Sequence, residues 1–431
     1  MFEENLVVDV DNIPLDGQIK AGQLFNITTN NVTYLTHTIH KYPAKFIPYV
    51  PKWAISKYLK DDKRKLVLDP FCGSGTTLVE AILNSHDCIG IDIDPLAVLI
   101  SKVKTTRIEP KKLLNVKRDV LSRIEKPPKQ LFRPELETLE HWFNDKSIHD
   151  LGLLRSIIDE YKEDKDIYDF LIVTFSSIIR KVSNADDQSQ KTYVSHTNIK
   201  TPPLVLPIFV KRLELYSNRL IELYEQANKH SNVIVTKNDA RSLTGLWEKN
   251  NWNQVDLAVT SPPYIKAIDY IYNQMAEYFW IGDIFGLETQ KKQNVYKKEY
   301  VGTKQVSAKI YKNHIPKTGI DEIDVLVAKI KEKDLKHAYI VAKFFVDMEQ
   351  NFKEVQNILN ENSHYVMVIG NNSVSGYNVP SHEFLIQCAE KVGLKYSNHF
   401  GYNIRNRYMR FPRKGRGGII KEDWVIDFVK E

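Results

Sequence analysis

The run Thr260-Ser261-Pro262-Pro263-Tyr264 places a hydroxyl, a rigid carbonyl and an aromatic ring side by side. Two prolines fix the backbone, so the Ser261 side chain and the Pro262 carbonyl become stationary acceptors. Such a pair suits an exocyclic ring amine, a poor nucleophile because its lone pair is delocalised into the ring. Two acceptors that draw its hydrogens out of plane restore the lone pair, and holding the nitrogen in line with an electrophile supplies proximity. Tyr264 offers a ring on which an extruded base stacks. The plain structural alternative is a Pro-Pro turn that ends a strand.

A second constellation is Asp69-Pro70-Phe71-Cys72-Gly73-Ser74-Gly75-Thr76. A glycine-rich turn between strand and helix lets the backbone approach a ligand closely. The dinucleotide fingerprint fails, since Leu78 stands at its third glycine, and no Gly-Lys-Ser/Thr follows to make a phosphate loop. The acid that closes the strand suits a cationic ligand such as S-adenosylmethionine, which carries a sulfonium and an amine. Asp92, in Gly90-Ile91-Asp92-Ile93-Asp94-Pro95, lies roughly 20 residues beyond the glycines, where a carboxylate accepts the ribose hydroxyls of an adenosine. Asp94 reads as a helix cap. Asp239, in Asn238-Asp239-Ala240-Arg241, follows a third strand and is a candidate for the adenine amine; an N-cap or turn aspartate is the alternative.

The octet at 69–76 and the Ser-Pro-Pro-Tyr at 261–264 resemble motifs I and IV of the amino-methylating DNA methyltransferases. The Ser-Pro-Pro-Tyr form resembles the cytosine-N4 branch, whereas adenine-N6 enzymes usually carry Asp or Asn at the place of Ser261. The segment His37-Thr38-Ile39-His40-Lys41-Tyr42-Pro43-Ala44-Lys45-Phe46 is similar to motif X of that family. The resemblance covers about 36–104, 232–282 and 340–430. It implies S-adenosylmethionine as cofactor, held by Lys45, Asp69, Pro70, Phe71, Gly73, Gly75, Thr76, Asp92, Asp239 and Ala240, with Ser261, Pro262, Pro263 and Tyr264 as the catalytic target pocket. It implies double-stranded DNA as substrate and a restriction–modification or defence setting, with a cognate restriction endonuclease as a conceivable partner. An adenine-N6 enzyme, an RNA amine methyltransferase and an inactive DNA-binding subunit are the rival readings.

The elements that must position these residues read as α/β. Lys65–Asp69 and Cys88–Asp92 are short apolar strands, each followed by a helical segment. The alternation resumes at Val233–Thr236 and Asp256–Thr260 and ends with a helix over Ile340–Leu359, a strand over Tyr365–Gly370 and a helix over Ser381–Val392. Two last strands, near Tyr396–Tyr402 and Trp424–Val429, read as a terminal antiparallel hairpin. This pattern predicts a doubly wound sheet. With the resemblance, the expectation is a Rossmann-like class I methyltransferase with a mostly parallel, seven-stranded sheet. Residues 1–35 read as an irregular N-terminal arm, and 36–104 with 232–431 as the catalytic core. Residues 105–231 read as a helical insertion and a candidate target-recognition region, and 285–340 as a lysine-rich insertion or lid.

Within the expected hairpin, Arg405, Arg407, Arg410, Arg413, Lys414 and Arg416 cluster without an acid, which reads as a phosphate-contacting loop. A solvated surface hairpin is the alternative. The segment from Arg180 to Lys191 carries Asn and Gln side chains suited to base edges. The net charge of +6 over 431 residues is mildly basic and decides little by itself. The three cysteines are scattered, which fits neither a disulfide framework nor a zinc set, and His37 with His40 lacks a third ligand, so no metal is expected. No apolar run reaches the roughly 20 residues of a membrane span, and a cytoplasmic location is expected.

Overall fold

The computed structural model describes residues 7–14, 19–28, 32–43, 45–61, 63–186, 192–266, 269–404 and 420–431. Eleven strands occur among them: β1 (Val7–Val10), β2 (Gln23–Ile27), β3 (Leu66–Asp69), β4 (Asp87–Asp92), β5 (Val233–Lys237), β6 (Val255–Thr260), β7 (Leu359–Gly370), β8 (Asn372–Val374), β9 (Tyr377–Val379), β10 (Leu394–Asn403) and β11 (Glu422–Lys430). Strands β8 and β9 form a small separate hairpin. The other nine form one sheet in the order β1-β2-β10-β11-β7-β6-β3-β4-β5.

Seven of these strands, from β10 across to β5, are the expected sheet. Within it only β11 runs antiparallel to its neighbours, β10 and β7, so the terminal hairpin is present. The chain runs outward from β3 to β4 to β5 and then returns to place β6 on the other side of β3. That reversal is the topological switch of an open α/β sheet, where ligands bind beyond the carboxyl ends of the strands. Asp69 ends β3 and Thr260 ends β6, so both leading motifs open onto this crevice.

The arm at residues 1–35 is not irregular throughout, as the sequence had implied. Strand β2 pairs in parallel with β10 and β1 pairs with β2, which extends the sheet to nine strands. Both are short and flanked by polar residues, so their own pattern is weak. The unpaired edge of β10 supplies the hydrogen-bonding template that recruits them.

Alternation along the central strands feeds two cores. Val67, Leu257 and Val259 point into one hydrophobic cluster, and Leu68, Ala258 and Met367 into the other. The second cluster packs under the helices Leu335–Ile358 and Ser381–Lys391. The first is shared with helices of the 105–231 region, among them Asp145–Asp159, Lys165–Ile179 and Val205–Gln226. That region is therefore continuous with the core. Arg155 ties it to the helix Met275–Phe285, donating to the Trp280 carbonyl at 2.6 Å and pairing with Asp283 at 2.7 Å. Among the described residues no helix is long and apolar enough to cross a membrane.

Candidate functional site

The turn after β3 is built by two left-handed glycines. Gly73 has φ +49° and Gly75 has φ +76°, a region that a β-carbon disfavours. The Gly75 amide donates to the Cys72 carbonyl at 2.7 Å, and the helix Thr76–Leu83 starts immediately after. A Cβ on Gly75 would stand 2.9 Å from Ser101 Oγ and 3.1 Å from Ser101 Cα, so this turn is also pressed against the next helix. Asp92 closes the turn from the end of β4. Its Oδ2 accepts the Gly73 amide and its Oδ1 the Asp94 amide, both at 2.8 Å. Asp94 caps the helix Pro95–Thr105 through Leu96 N at 2.9 Å, the structural part expected of it.

A cleft opens beyond this turn. Pro70, Phe71, Gly73 and Thr76 form one wall, joined by Cys72 and Ser74. Lys45, with Tyr42 and Phe46, forms a second. Asp92 with Ile93, and Asp239 with Ala240, line a third, and Ser261 with Pro263 reach the same space. Asp69, Gly75, Pro262 and Tyr264 do not border it. Asp69 lies fully buried behind the wall, where its Oδ1 accepts the Thr260 hydroxyl at 2.6 Å and the Phe71 amide at 3.2 Å.

The carboxylates in and behind the cleft are shielded from water to different degrees. Burial pushes the Asp69 carboxyl up to about 6, against the hydrogen bonds that pull it down. Burial, reinforced by the neighbouring Asp94, pushes Asp92 up to about 7. Burial likewise lowers the Lys45 ammonium to about 8. One Lys45 proton goes to the His37 carbonyl at 2.7 Å, and an ammonium has two more to give. Asp239 behaves differently. Burial raises its carboxyl, but the Arg241 guanidinium more than offsets this and holds it below its ordinary value. That contact is bidentate, Nε to Oδ1 at 2.9 Å and Nη2 to Oδ2 at 2.6 Å.

Several lining residues escaped the sequence reading. Tyr270 stacks on Tyr42 at 5.8 Å between ring centroids, and Tyr300 stacks on the other side of Tyr270 at the same separation. Glu299, Tyr300 and Val301 also line the cleft, which brings the lysine-rich 285–340 segment to the site. Arg241 holds that segment, donating to the Glu299 carbonyl at 2.9 Å while pairing with Asp347 at 3.1 Å. No local signal marks Tyr270 and Tyr300, because the fold alone brings them together. Arg241 stood in view beside Asp239, but its contacts depend on its rotamer.

Tyr264 points toward β7 and β11, where its hydroxyl donates to Asp423 Oδ1 at 2.7 Å. His37 and His40 hydrogen-bond within the fold: His37 Nε2 meets Glu80 Oε1 at 2.7 Å, and His40 Nε2 meets Ser176 Oγ at 2.9 Å. Among the described residues no group of three or more His, Cys, Asp or Glu is placed to hold a metal ion. All three cysteines are buried, and burial pushes the Cys72 thiol well above its usual range. The basic residues Arg405, Arg407, Arg410, Arg413, Lys414 and Arg416 lie outside the described residues, as does the end of the 180–191 segment.

Residues 17–103 match the DNA methylase family of N6- and N4-methylating enzymes. The chain is 29% identical over 418 residues to the Type II methyltransferase M.MvaI of Kocuria varians, an alignment covering 91% of this chain and 88% of that one. It is 27% identical over 220 residues to the Type II methyltransferase M.MjaII of Methanocaldococcus jannaschii, covering 48% of this chain and 40% of the relative. Among solved structures, the rRNA methyltransferase aviRa of Streptomyces viridochromogenes matches with a TM-score of 0.34 at 9% identity, over 93% of this chain and 90% of that one. The family match over residues 17–103 and the two Type II relatives bear out the resemblance to the amino-methylating DNA methyltransferases.

Proposed function

We propose that this chain transfers the methyl group of S-adenosylmethionine to N4 of a cytosine flipped out of duplex DNA. The observation that carries the reading is the single cleft in which the glycine turn and Asp92 face Ser261 and Pro263. A cofactor bound along the turn and an amine held at Ser261 would share that space.

The lining suits S-adenosylmethionine. Carboxylates at Asp92 and Asp239 favour a cationic adenosine, and Asp92 keeps lone pairs for ribose hydroxyls beyond the two amides it already accepts. Ser74 Oγ and Tyr300 Oη are buried and lack hydrogen-bond partners among the described residues, and both residues border the cleft. Buried polar atoms of this kind call for a polar ligand. When bound, the cofactor supplies an electrophilic methyl on a sulfonium. Lys45 would meet its carboxylate, and Phe71 with the tyrosine stack would cover its apolar surface.

The protein's part in the reaction is positioning. Ser261 Oγ and the Pro262 carbonyl accept the two amine hydrogens, which localises the nitrogen lone pair for in-line attack. A buried Cys72 with a raised thiol pKa is a poor nucleophile, in keeping with direct transfer and no covalent enzyme intermediate. Ser261, in place of an acid or amide, favours cytosine. Arg405 to Arg416 would hold phosphates, and the 105–231 region, docked on the same core, would read the target. The type II relatives favour a restriction–modification setting, in which a cognate endonuclease would be the partner.

The test is to incubate the purified chain with labelled S-adenosylmethionine and duplex DNA, digest to nucleosides and identify the product. N4-methylcytosine is expected. N6-methyladenine would reassign the base, label in RNA alone would reassign the substrate, and no transfer to any nucleic acid would leave only a binding role. Ser261→Ala should lower the single-turnover rate by at least about tenfold, with DNA affinity unchanged.

A further inference from the structure

Tyr264 is held from two directions. At its backbone, a Cβ on Gly302 would stand 3.1 Å from the Tyr264 carbonyl oxygen, and the Lys266 amide donates to the Gly302 carbonyl at 3.1 Å. At its ring, the space comes from Gly370, the last residue of β7. A Cβ there would fall 2.8 Å from Tyr264 Cε2 and 2.6 Å from Ile420 Cγ2, closer than carbon atoms pack. Beyond the ring, the hydroxyl reaches Asp423. Gly370 and Asp423 are not independent. They are register partners across β7 and β11, and Tyr402 on β10 faces Asp423 from the other side. One row across three strands thus supplies a carboxylate for the phenol beside a residue small enough to admit the ring.

We propose that Asp423 is a positioning residue for methyl transfer, holding the Tyr264 phenol so that the ring is set as a stacking platform before DNA arrives. The inference rests on the proposed role of Tyr264 as the base platform. A hydroxyl lies in the plane of its ring, so a hydrogen bond made there does not itself occupy a ring face, and Tyr264, which does not border the cleft, stays part-exposed beside it. A ring without that bond turns about its side-chain torsions and must be ordered when the base arrives, at a cost to binding. A merely structural reading is that Tyr264 and Asp423 tie the 261–266 loop to β11. The two readings differ in what the bond changes: the structural one moves stability, and the positioning one moves DNA capture.

The decisive experiment is a double-mutant cycle on the full chain, with labelled S-adenosylmethionine and a duplex oligonucleotide carrying the mapped target. Tyr264→Phe and Asp423→Ala should each lower kcat/KM for DNA by about tenfold, mostly through KM, as expected for a lost charge-assisted hydrogen bond. Asp423→Ala in the Tyr264→Phe background should add little to KM, because Tyr264, through which it acts on DNA, is already released; the Tyr402 hydroxyl that also meets Asp423 affects stability instead. Asp423→Asn still offers an acceptor and should recover most of the loss, and cofactor affinity should stay constant throughout. Asp423→Ala costing as much in the Tyr264→Phe background as in the parent would overturn the proposal. If Asp423→Ala fails to fold, Tyr264→Phe decides alone, and a parental KM there overturns it. Tyr264→Ala separates the levels. Full activity in that variant sinks the platform reading itself, whereas a loss there with Tyr264→Phe and Asp423→Ala both unaffected sinks only the role of Asp423.

Discussion

The Asp69 carboxylate accepts the Thr260 hydroxyl at 2.6 Å, joining the last residue of β3 to the last residue of β6. One residue beyond each lie Pro70 and Ser261, which line the same cleft. A buried side-chain bond therefore reinforces the β3–β6 pairing at the point where the candidate cofactor turn and the candidate target loop begin. Both residues are fully buried, so no water competes for the bond.

Thr260→Val keeps the shape and removes the hydroxyl. Asp69 then keeps the Phe71 amide at 3.2 Å and the Thr77 hydroxyl. The cost should be roughly 1–3 kcal/mol of stability, and it should depend on pH. Asp69 already has a folded-state pKa near 6, above the ordinary carboxylate value. The folded state thus binds a proton more readily than the unfolded one, and this group's contribution to stability declines as pH rises from about 4 to about 6. Losing Thr260 raises that pKa further and extends the decline above 6. Thermal melts at pH 5 and pH 7.5 check this: the deficit of the variant should be larger at pH 7.5, and an equal deficit at both would take the carboxylate out of the explanation.

Cofactor affinity should peak in a narrow pH window. Asp92 has a pKa near 7, and ribose hydroxyls are best accepted by its ionised form. Below that value each pH unit should weaken binding by up to about tenfold. Lys45 has a pKa near 8, so its charge, and the attraction to a cofactor carboxylate, fade above pH 8. Calorimetric titration with S-adenosylmethionine from pH 6 to 9 should show both limbs. Lys45→Met should remove the alkaline limb and spare the acidic one; an alkaline limb that survives means that another group produces it.

How much of this was legible beforehand follows the range of the interactions. The turn at 70–75, the acid at Asp92 and the Ser-Pro-Pro-Tyr run are local patterns, so the candidate cofactor wall and the candidate target loop stand out in the sequence. Strands β1 and β2 could not, because an edge of β10 near the far end of the chain recruits them. The tyrosine stack was equally hidden, since Tyr42, Tyr270 and Tyr300 meet only once the 285–340 segment has folded against the site. Asp423 looked like any strand residue; its place opposite Gly370 is a matter of register. The 105–231 region read as an addition to the core because its helical period breaks the strand alternation. Its apolar faces in fact complete the first hydrophobic cluster.

Arg241 should prove as important to the cofactor as the acid it holds. It pairs with Asp239 through two bonds, touches Asp347, and fixes the Glu299 carbonyl of the segment that carries Tyr300. Removing it frees two sides of the cleft at once. Arg241→Ala should weaken S-adenosylmethionine binding by about tenfold, the scale of one charge-assisted bond. Arg241→Lys should rescue little, because an ammonium lacks the planar fork. Thermal stabilisation of each variant by added cofactor is the measurement. Parental stabilisation in Arg241→Lys would mean that charge alone suffices and that the fork geometry is immaterial.

Gly75 combines two demands that no other residue meets. Its φ of +76° is left-handed, a conformation that costs an L-residue roughly 1–2 kcal/mol. Its missing Cβ also leaves room for Ser101, whose backbone Cα would otherwise be 3.1 Å away. Ser101 cannot retreat freely, because its hydroxyl donates to the Gly73 carbonyl at 2.8 Å and so steadies the turn. Gly75→Ala should therefore push Ser101 aside, loosen the Gly73 peptide and disturb the amide that Asp92 accepts. The expected result is at least about tenfold weaker S-adenosylmethionine binding, given the steep distance dependence of packing. Adding Ser101→Gly removes the side-chain contact but also deletes the bond to the Gly73 carbonyl and leaves the strained φ and the backbone contact, so it should restore only part of the affinity. Equilibrium titration of the single and double variants distinguishes these terms. Unchanged affinity in Gly75→Ala would show that the turn yields without altering the site, and full recovery in the double variant would assign the whole effect to the serine side chain.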